Sequence, residues 1–73
     1  MAHPRIEINP QIMFGKPVIR GTRIPVELIL RHFAFGHGIE ELLDGYPRLT
    51  AEDVRAALDY AADQLPKPVM AAE

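Results

Sequence analysis

The sequence predicts a mainly α domain, a three-helix helix-turn-helix bundle preceded by a short N-terminal β-hairpin. Three observations carry that expectation. Arg5-Ile6-Glu7-Ile8 alternates polar and apolar residues, the period of a half-buried strand, and Pro17-Val18-Ile19 offers the return strand. Three later segments, about residues 25–35, 39–44 and 51–65, repeat apolar side chains at helical spacing. Gly36, Gly45 and Pro47 separate those segments as helix breakers.

Taken in order, Asn9-Pro10 is a turn signal after the first strand. Gln11-Ile12-Met13-Phe14 is apolar for a loop, so a short turn that packs Ile12 and Phe14 down is expected. The stretch Gly15-Lys16-Pro17-Val18-Ile19-Arg20-Gly21-Thr22-Arg23-Ile24-Pro25-Val26 organises the rest of the chain. Its two glycines allow backbone conformations closed to other residues, and its prolines stiffen the chain on both sides. Pro25 suits the first position of a helix, so Lys16, Arg20 and Arg23 sit at a strand-to-helix corner. Two readings of that corner stay open. It is a helix start with solvated cations, or a corner that binds an anion or a partner through N–H groups and forked guanidinium donors. It is not a phosphate-binding P-loop, because Lys16 follows the first glycine instead of closing the loop ahead of a Ser or Thr.

The first helix is expected from about Pro25 to Phe35. Val26, Ile29, Leu30 and Phe33 form its apolar face, which Leu28 and Phe35 widen. Such a width suits burial from two sides. Gly36 stops the helix, and Gly36-His37-Gly38 places His37 in a loop. The second helix is brief, about Ile39 to Asp44, with Ile39, Leu42, Leu43 and Tyr46 at i, i+3, i+4 and i+7. The third carries a start signal, Thr50 with Asp53 three residues on, in the capping-box pattern. Val54, Ala57, Leu58, Ala61 and Leu65 read as its buried stripe, and Pro66 as its stop. Residues 1–65 thus form one domain, and residues 66–73 show no period and are expected to be a flexible tail.

A chain of 73 residues is a small domain. At this size about 60% of the unfolded surface is buried, so stability is marginal without a staple. The absence of cysteine removes disulfides and thiolate zinc sites together, which leaves a partner chain, a homodimer first of all. No apolar run approaches the roughly 20 residues of a membrane helix, and the N-terminus has no secretion-signal character, so a cytoplasmic location is expected. The net charge of −2 conceals an asymmetry. Residues 1–35 carry Arg5, Lys16, Arg20, Arg23 and Arg31 against Glu7 and Glu27; residues 36–73 carry three cations against eight carboxylates. A basic face for one partner and an acidic face for another follow from that polarity.

Catalysis finds few candidates. Serine and cysteine are absent, Thr22 and Thr50 are the only alcohols besides the tyrosines, and Thr50 is explained as a cap. His3, His32 and His37 lack metal-ligand spacing, so neither a metal nor another cofactor is expected. Asp59 and Asp63, four apart on one helix, could pair for acid–base work but fit a solvated outer face better. No enzyme is expected. Binding remains. Helix-turn-helix order suggests DNA recognition through the last helix, yet residues 51–65 hold Glu52, Asp53, Asp59 and Asp63 against Arg55 alone, which repels phosphate. Any DNA contact falls to Lys16, Arg20, Arg23, Arg5 and, from the turn, Arg48, with Arg31 as a further contributor.

The run of residues 15–26 resembles the signature of a small prokaryotic family, domain of unknown function 433. The likeness continues through Gly38-Ile39-Glu40-Glu41-Leu42-Leu43, Tyr46-Pro47 and Leu49 to Leu58, and covers about residues 5–63. Ile12-Met13-Phe14 departs from the Cys- or Gly-containing turn of many relatives. The resemblance implies a homeodomain-like fold with a small hairpin, commonly dimeric, encoded beside a PIN-like ribonuclease and regarded as a VapB-type antitoxin. On that basis the expected partners are a PIN-like ribonuclease toxin, met by Asp59, Asp63, Glu52 and Arg55, and operator DNA, held by the basic corner. The alternative is a protein-interaction and dimerisation module that does not bind DNA.

Overall fold

The structure is a computed structural model in which residues 3–66 are described. Strand β1 (Ile6–Glu7) pairs antiparallel with β2 (Val18–Ile19), Ile6 opposite Ile19 and Glu7 opposite Val18. Helices α1 (Val26–Ala34), α2 (Ile39–Gly45) and α3 (Ala51–Asp63) follow. The hairpin and three helices are those expected from the sequence. All but Pro66 of the expected C-terminal tail lies outside the described residues.

Two strands of two residues cannot stand alone in water. The hairpin survives because it lies on the helices. Ile6, Ile19, Val26, Ile29, Leu42, Leu49, Val54 and Ala57 form one buried cluster, with Leu28, Leu30, Phe33, Leu43 and Tyr60 packed on its margin. Burial of a side chain such as Ile29 or Leu42 contributes roughly 1.5–3 kcal/mol. The strand-to-helix corner adds a second layer of pairing. Ile19 N–H donates to Ile24 O (3.0 Å), Val26 N–H donates to Pro17 O (2.9 Å), and Val18 bridges Pro25. Pro25 is therefore the N-cap of α1, in extended conformation, one position earlier than its expected place inside the helix.

The turn before β2 differs from expectation more sharply. Met13, Phe14 and Gly15 all have positive φ (51°, 59° and 81°). Left-handed backbone costs a non-glycine residue about 1–2 kcal/mol. Bonds from Gly15 N–H to Ile12 O (3.0 Å) and from Lys16 N–H to Met13 O (3.1 Å) hold it there. The consequence is a reversal of direction that aims Phe14 outward, 96% exposed, while Ile12 stays partly covered. The expectation that Phe14 packs down is corrected. Phe35, 75% exposed beyond the end of α1, likewise does not extend that helix's buried face.

Helix starts match the sequence closely. On α3, Asp53 N–H donates to Thr50 Oγ1 (3.0 Å) and Thr50 N–H donates to Asp53 Oδ2 (3.1 Å), a reciprocal capping box. On α2, Gly38 N–H donates to Glu41 Oε1 (3.0 Å). That bond chiefly holds the Glu41 carboxyl below its ordinary 4.5. A carboxylate lowered in the folded state stabilises above its unfolded pKa, and that contribution disappears as pH falls through the lower, folded value. Glu41→Gln should melt below the native chain at pH 7, and the two melting curves should converge in acid well below pH 4.5. A gap that persists unchanged in acid would assign the effect to something other than the carboxylate's charge.

The buried stripe of α3 is rotated from the expected one. Val54, Ala57 and Ala61 face the core, but they are joined by Asp53 and Tyr60, whereas Leu58 and Leu65 are 42% and 66% exposed. The helix also ends at Asp63, two residues before Leu65. Among the described residues no helix is long and apolar enough to cross a membrane.

Candidate functional site

The basic corner is an internal clasp before it is a surface. Thr22 Oγ1 donates to Ile19 O (2.7 Å) and accepts from Ile24 N–H (3.0 Å), which closes the turn in which Gly21 takes φ +80°. Arg20 crosses to the first strand: Nε donates to Pro4 O (2.6 Å) and Nη2 to Ile6 O (3.2 Å). Arg48 reaches from the α2–α3 turn to donate through Nη2 to Gly21 O (2.8 Å). Lys16 lies 3.7 Å from Glu27, whose carboxyl also accepts from Arg31 Nε (3.0 Å). The Arg31 hydrogen bond, with the attraction of Arg31 and Lys16, keeps Glu27 below its ordinary pKa.

Arg5 faces away from that corner. Its Nη1 donates to Asp53 Oδ1 (3.0 Å) and its Nη2 to Glu52 Oε1 (3.1 Å), so the first strand is tied to the first turn of α3. Asp53 is 7% exposed and satisfied on both oxygens. Of the five cations expected to meet DNA, only Arg23 makes no hydrogen bond or ion pair among the described residues. Arg23 and Arg48 line one shallow groove, together with Glu7, Ile12, Gly21 and Thr22.

The second groove runs between the N-terminal arm and the outer side of α3. His3, Pro4 and Arg5 form one wall; Glu52, Arg55, Ala56, Leu58 and Asp59 form the other. Three of the four expected partner-binding residues, Glu52, Arg55 and Asp59, therefore meet in one place, beside the half-exposed Leu58. Asp63 lies one turn further and accepts from His3 Nε2 at 2.8 Å, while His3 Nδ1 is 3.7 Å from Asp59. His3 had no metal-ligand partner by spacing, because the two aspartates that flank it stand more than fifty residues away in the chain. An i, i+4 aspartate pair on a helix was the only trace of the cluster in the sequence.

Fold and surface together define a class: a hairpin-capped three-helix domain with two shallow grooves, one that sets Arg23 and Arg48 against Glu7 and one that sets Arg5 and Arg55 against Glu52 and Asp59. A family model described as "Protein of unknown function (DUF433)" matches residues 6–61. The chain belongs to that family. It is 45% identical over 53 residues to a Sinorhizobium fredii protein described as uncharacterized protein y4eO, a match that covers 73% of this chain and 24% of that protein. The chain thus spans about a quarter of that relative's length. The crystal structure of a DUF433 member from Anabaena variabilis superposes with a TM-score of 0.78 at 42% identity, covering 81% of this chain and 58% of the other.

Proposed function

We propose that this chain is the antitoxin of a type II toxin–antitoxin pair, a cytoplasmic protein that binds and inhibits a PIN-like ribonuclease through the outer groove of α3. The observation that supports it is the outer side of α3, where the exposed Leu58 stands near the exposed carboxylates Glu52, Asp59 and Asp63, in a groove that Arg5 and Arg55 also line. A ribonuclease must attract a polyanion, so its substrate cleft is basic; an acidic helix with an apolar anchor is complementary to such a cleft. Operator binding by a dimer falls first to Arg23, since Arg5, Arg20, Arg48 and Lys16 already make internal contacts.

The test is co-expression with the ribonuclease reading frame adjacent to this gene, followed by purification and an RNA-cleavage assay. The native chain should co-elute and silence cleavage. Leu58→Arg should weaken inhibition at least tenfold, whereas Arg23→Ala should leave inhibition within twofold and reduce DNA binding. No co-elution, with the ribonuclease fully active, would sink this reading. A second reading, a dimerisation and protein-interaction module that never touches DNA, is favoured by the outward aim of Phe14 and Phe35. It requires a dimer in solution whose DNA affinity does not respond to Arg23→Ala.

A further inference from the structure

We propose that His3, Asp59 and Asp63 form a binding site for a divalent transition-metal ion of the zinc type, which clamps the N-terminal arm to the end of α3. One ligand atom from each residue falls within 4.8 Å of the other two. His3 Nε2 and Asp63 Oδ2 are 2.8 Å apart, whereas Asp59 Oδ2 stands 3.7 Å from the other ring nitrogen, Nδ1, so the exposed Asp59 side chain must swing toward Nε2 to share the ion. Two ligands of a tetrahedral zinc, with bonds near 2.0–2.1 Å, stand about 3.3 Å apart. Admitting the ion therefore asks Nε2 and Oδ2 to part by about half an ångström. Asp63, the last residue of α3 and half-exposed, can supply that movement.

The ring is already held for the purpose. Its side chain is only 17% exposed, and it packs edge-on against Tyr60 with centroids 5.3 Å apart. The His3 carbonyl accepts from Ile6 N–H (2.9 Å), which anchors the arm to the start of β1. An independent argument comes from electrostatics. Two carboxylates at i and i+4 repel, and α3 places them toward its C-terminal, negative pole. No basic residue occupies the last turn of α3, and among the described residues no Lys or Arg pairs with either carboxylate. A dication held between them would offset that repulsion. The donor set selects the ion: imidazole with carboxylate suits zinc and its neighbours, while calcium and magnesium favour oxygen alone. Three protein ligands leave the fourth position to water. The inference stands on this geometry and not on the ribonuclease reading.

The test is calorimetric titration of the full chain, stripped of metal by a chelator that is then removed, with zinc chloride in a non-coordinating buffer. One ion per chain is expected. His3→Gln should lower the affinity at least tenfold, and the charge-removing pair Asp59→Asn with Asp63→Asn should do the same. His37→Gln should change it less than twofold, which separates this site from the other imidazoles, His32 and His37, whose rings lie 5.2 Å apart. Metal-free circular dichroism and melting of each variant check that the fold is intact. Equal affinity in the native chain and His3→Gln overturns the proposal, as does absence of binding by the native chain. Undiminished binding by the double aspartate variant also overturns it, because His3 would then act with its own backbone alone.

Discussion

Asp53→Ala should lower stability by about 2–3 kcal/mol, a large fraction of the total stability of so small a domain. The side chain carries two jobs. Its Oδ2 accepts from Thr50 N–H at the start of α3, and loss of such a cap costs about 1 kcal/mol. Its Oδ1 accepts from Arg5 at 3.0 Å, in a position where Asp53 is 7% exposed. A charge-assisted bond of this kind is worth about 1.5–3 kcal/mol when dry, less here because Arg5 is half in solvent. Expressed as melting temperature, the change is a fall of about 10–20 °C. A double-mutant cycle with Arg5→Ala separates the two parts. The cap is lost in Asp53→Ala whether or not Arg5 is present, so coupling below about 0.5 kcal/mol would show the ion pair to be idle.

Arg20→Ala should destabilise by about 1–2 kcal/mol, although Arg20 is exposed and belongs to a corner that reads as a binding surface. Its guanidinium spans two carbonyl oxygens of the opposite strand region, Pro4 O at 2.6 Å and Ile6 O at 3.2 Å. Arg20→Lys should recover little, because an ammonium lacks the flat fork that reaches both acceptors at once. Thermal melts of both variants provide the check. Unchanged melting with weakened DNA binding would return Arg20 to the nucleic-acid surface and contradict its role as a clasp.

These two residues show where sequence reasoning reaches and where it stops. Thr50 and Asp53 announced a helix start because both partners of the cap lie within one turn. The strands and the apolar faces of α1 and α2 were legible for the same reason: periodicity is local. The rotation of α3 was not. Asp53 is buried because Arg5, 48 positions earlier, meets it, and an aspartate with a distant partner looks like any solvated carboxylate in a string of letters. With Asp53 turned inward Leu58 stays on the surface, and Leu65 lies beyond the end of the helix. Arg20, Arg48 and Lys16 were legible as a basic cluster, but their acceptors include backbone carbonyls, which have no letter. His3 carries the same lesson furthest, since its partner Asp63 stands 60 residues on. Phe14 was misplaced because apolar character predicts burial, and only three successive left-handed residues reverse its direction.

The tie between the first strand and α3 also bears on how the chain acquires its structure in time. Arg5 finds Asp53 and Glu52, and His3 finds Asp63, only after α3 has been made. Closing such a loop costs more entropy than contacts between neighbouring elements do, so refolding should be slower than in a bundle whose helices meet only their neighbours. During synthesis the opening residues must wait beside the ribosome, with Ile6 and Ile19 uncovered, until α3 emerges. That interval is when a chaperone or a protease has its best access to the nascent chain.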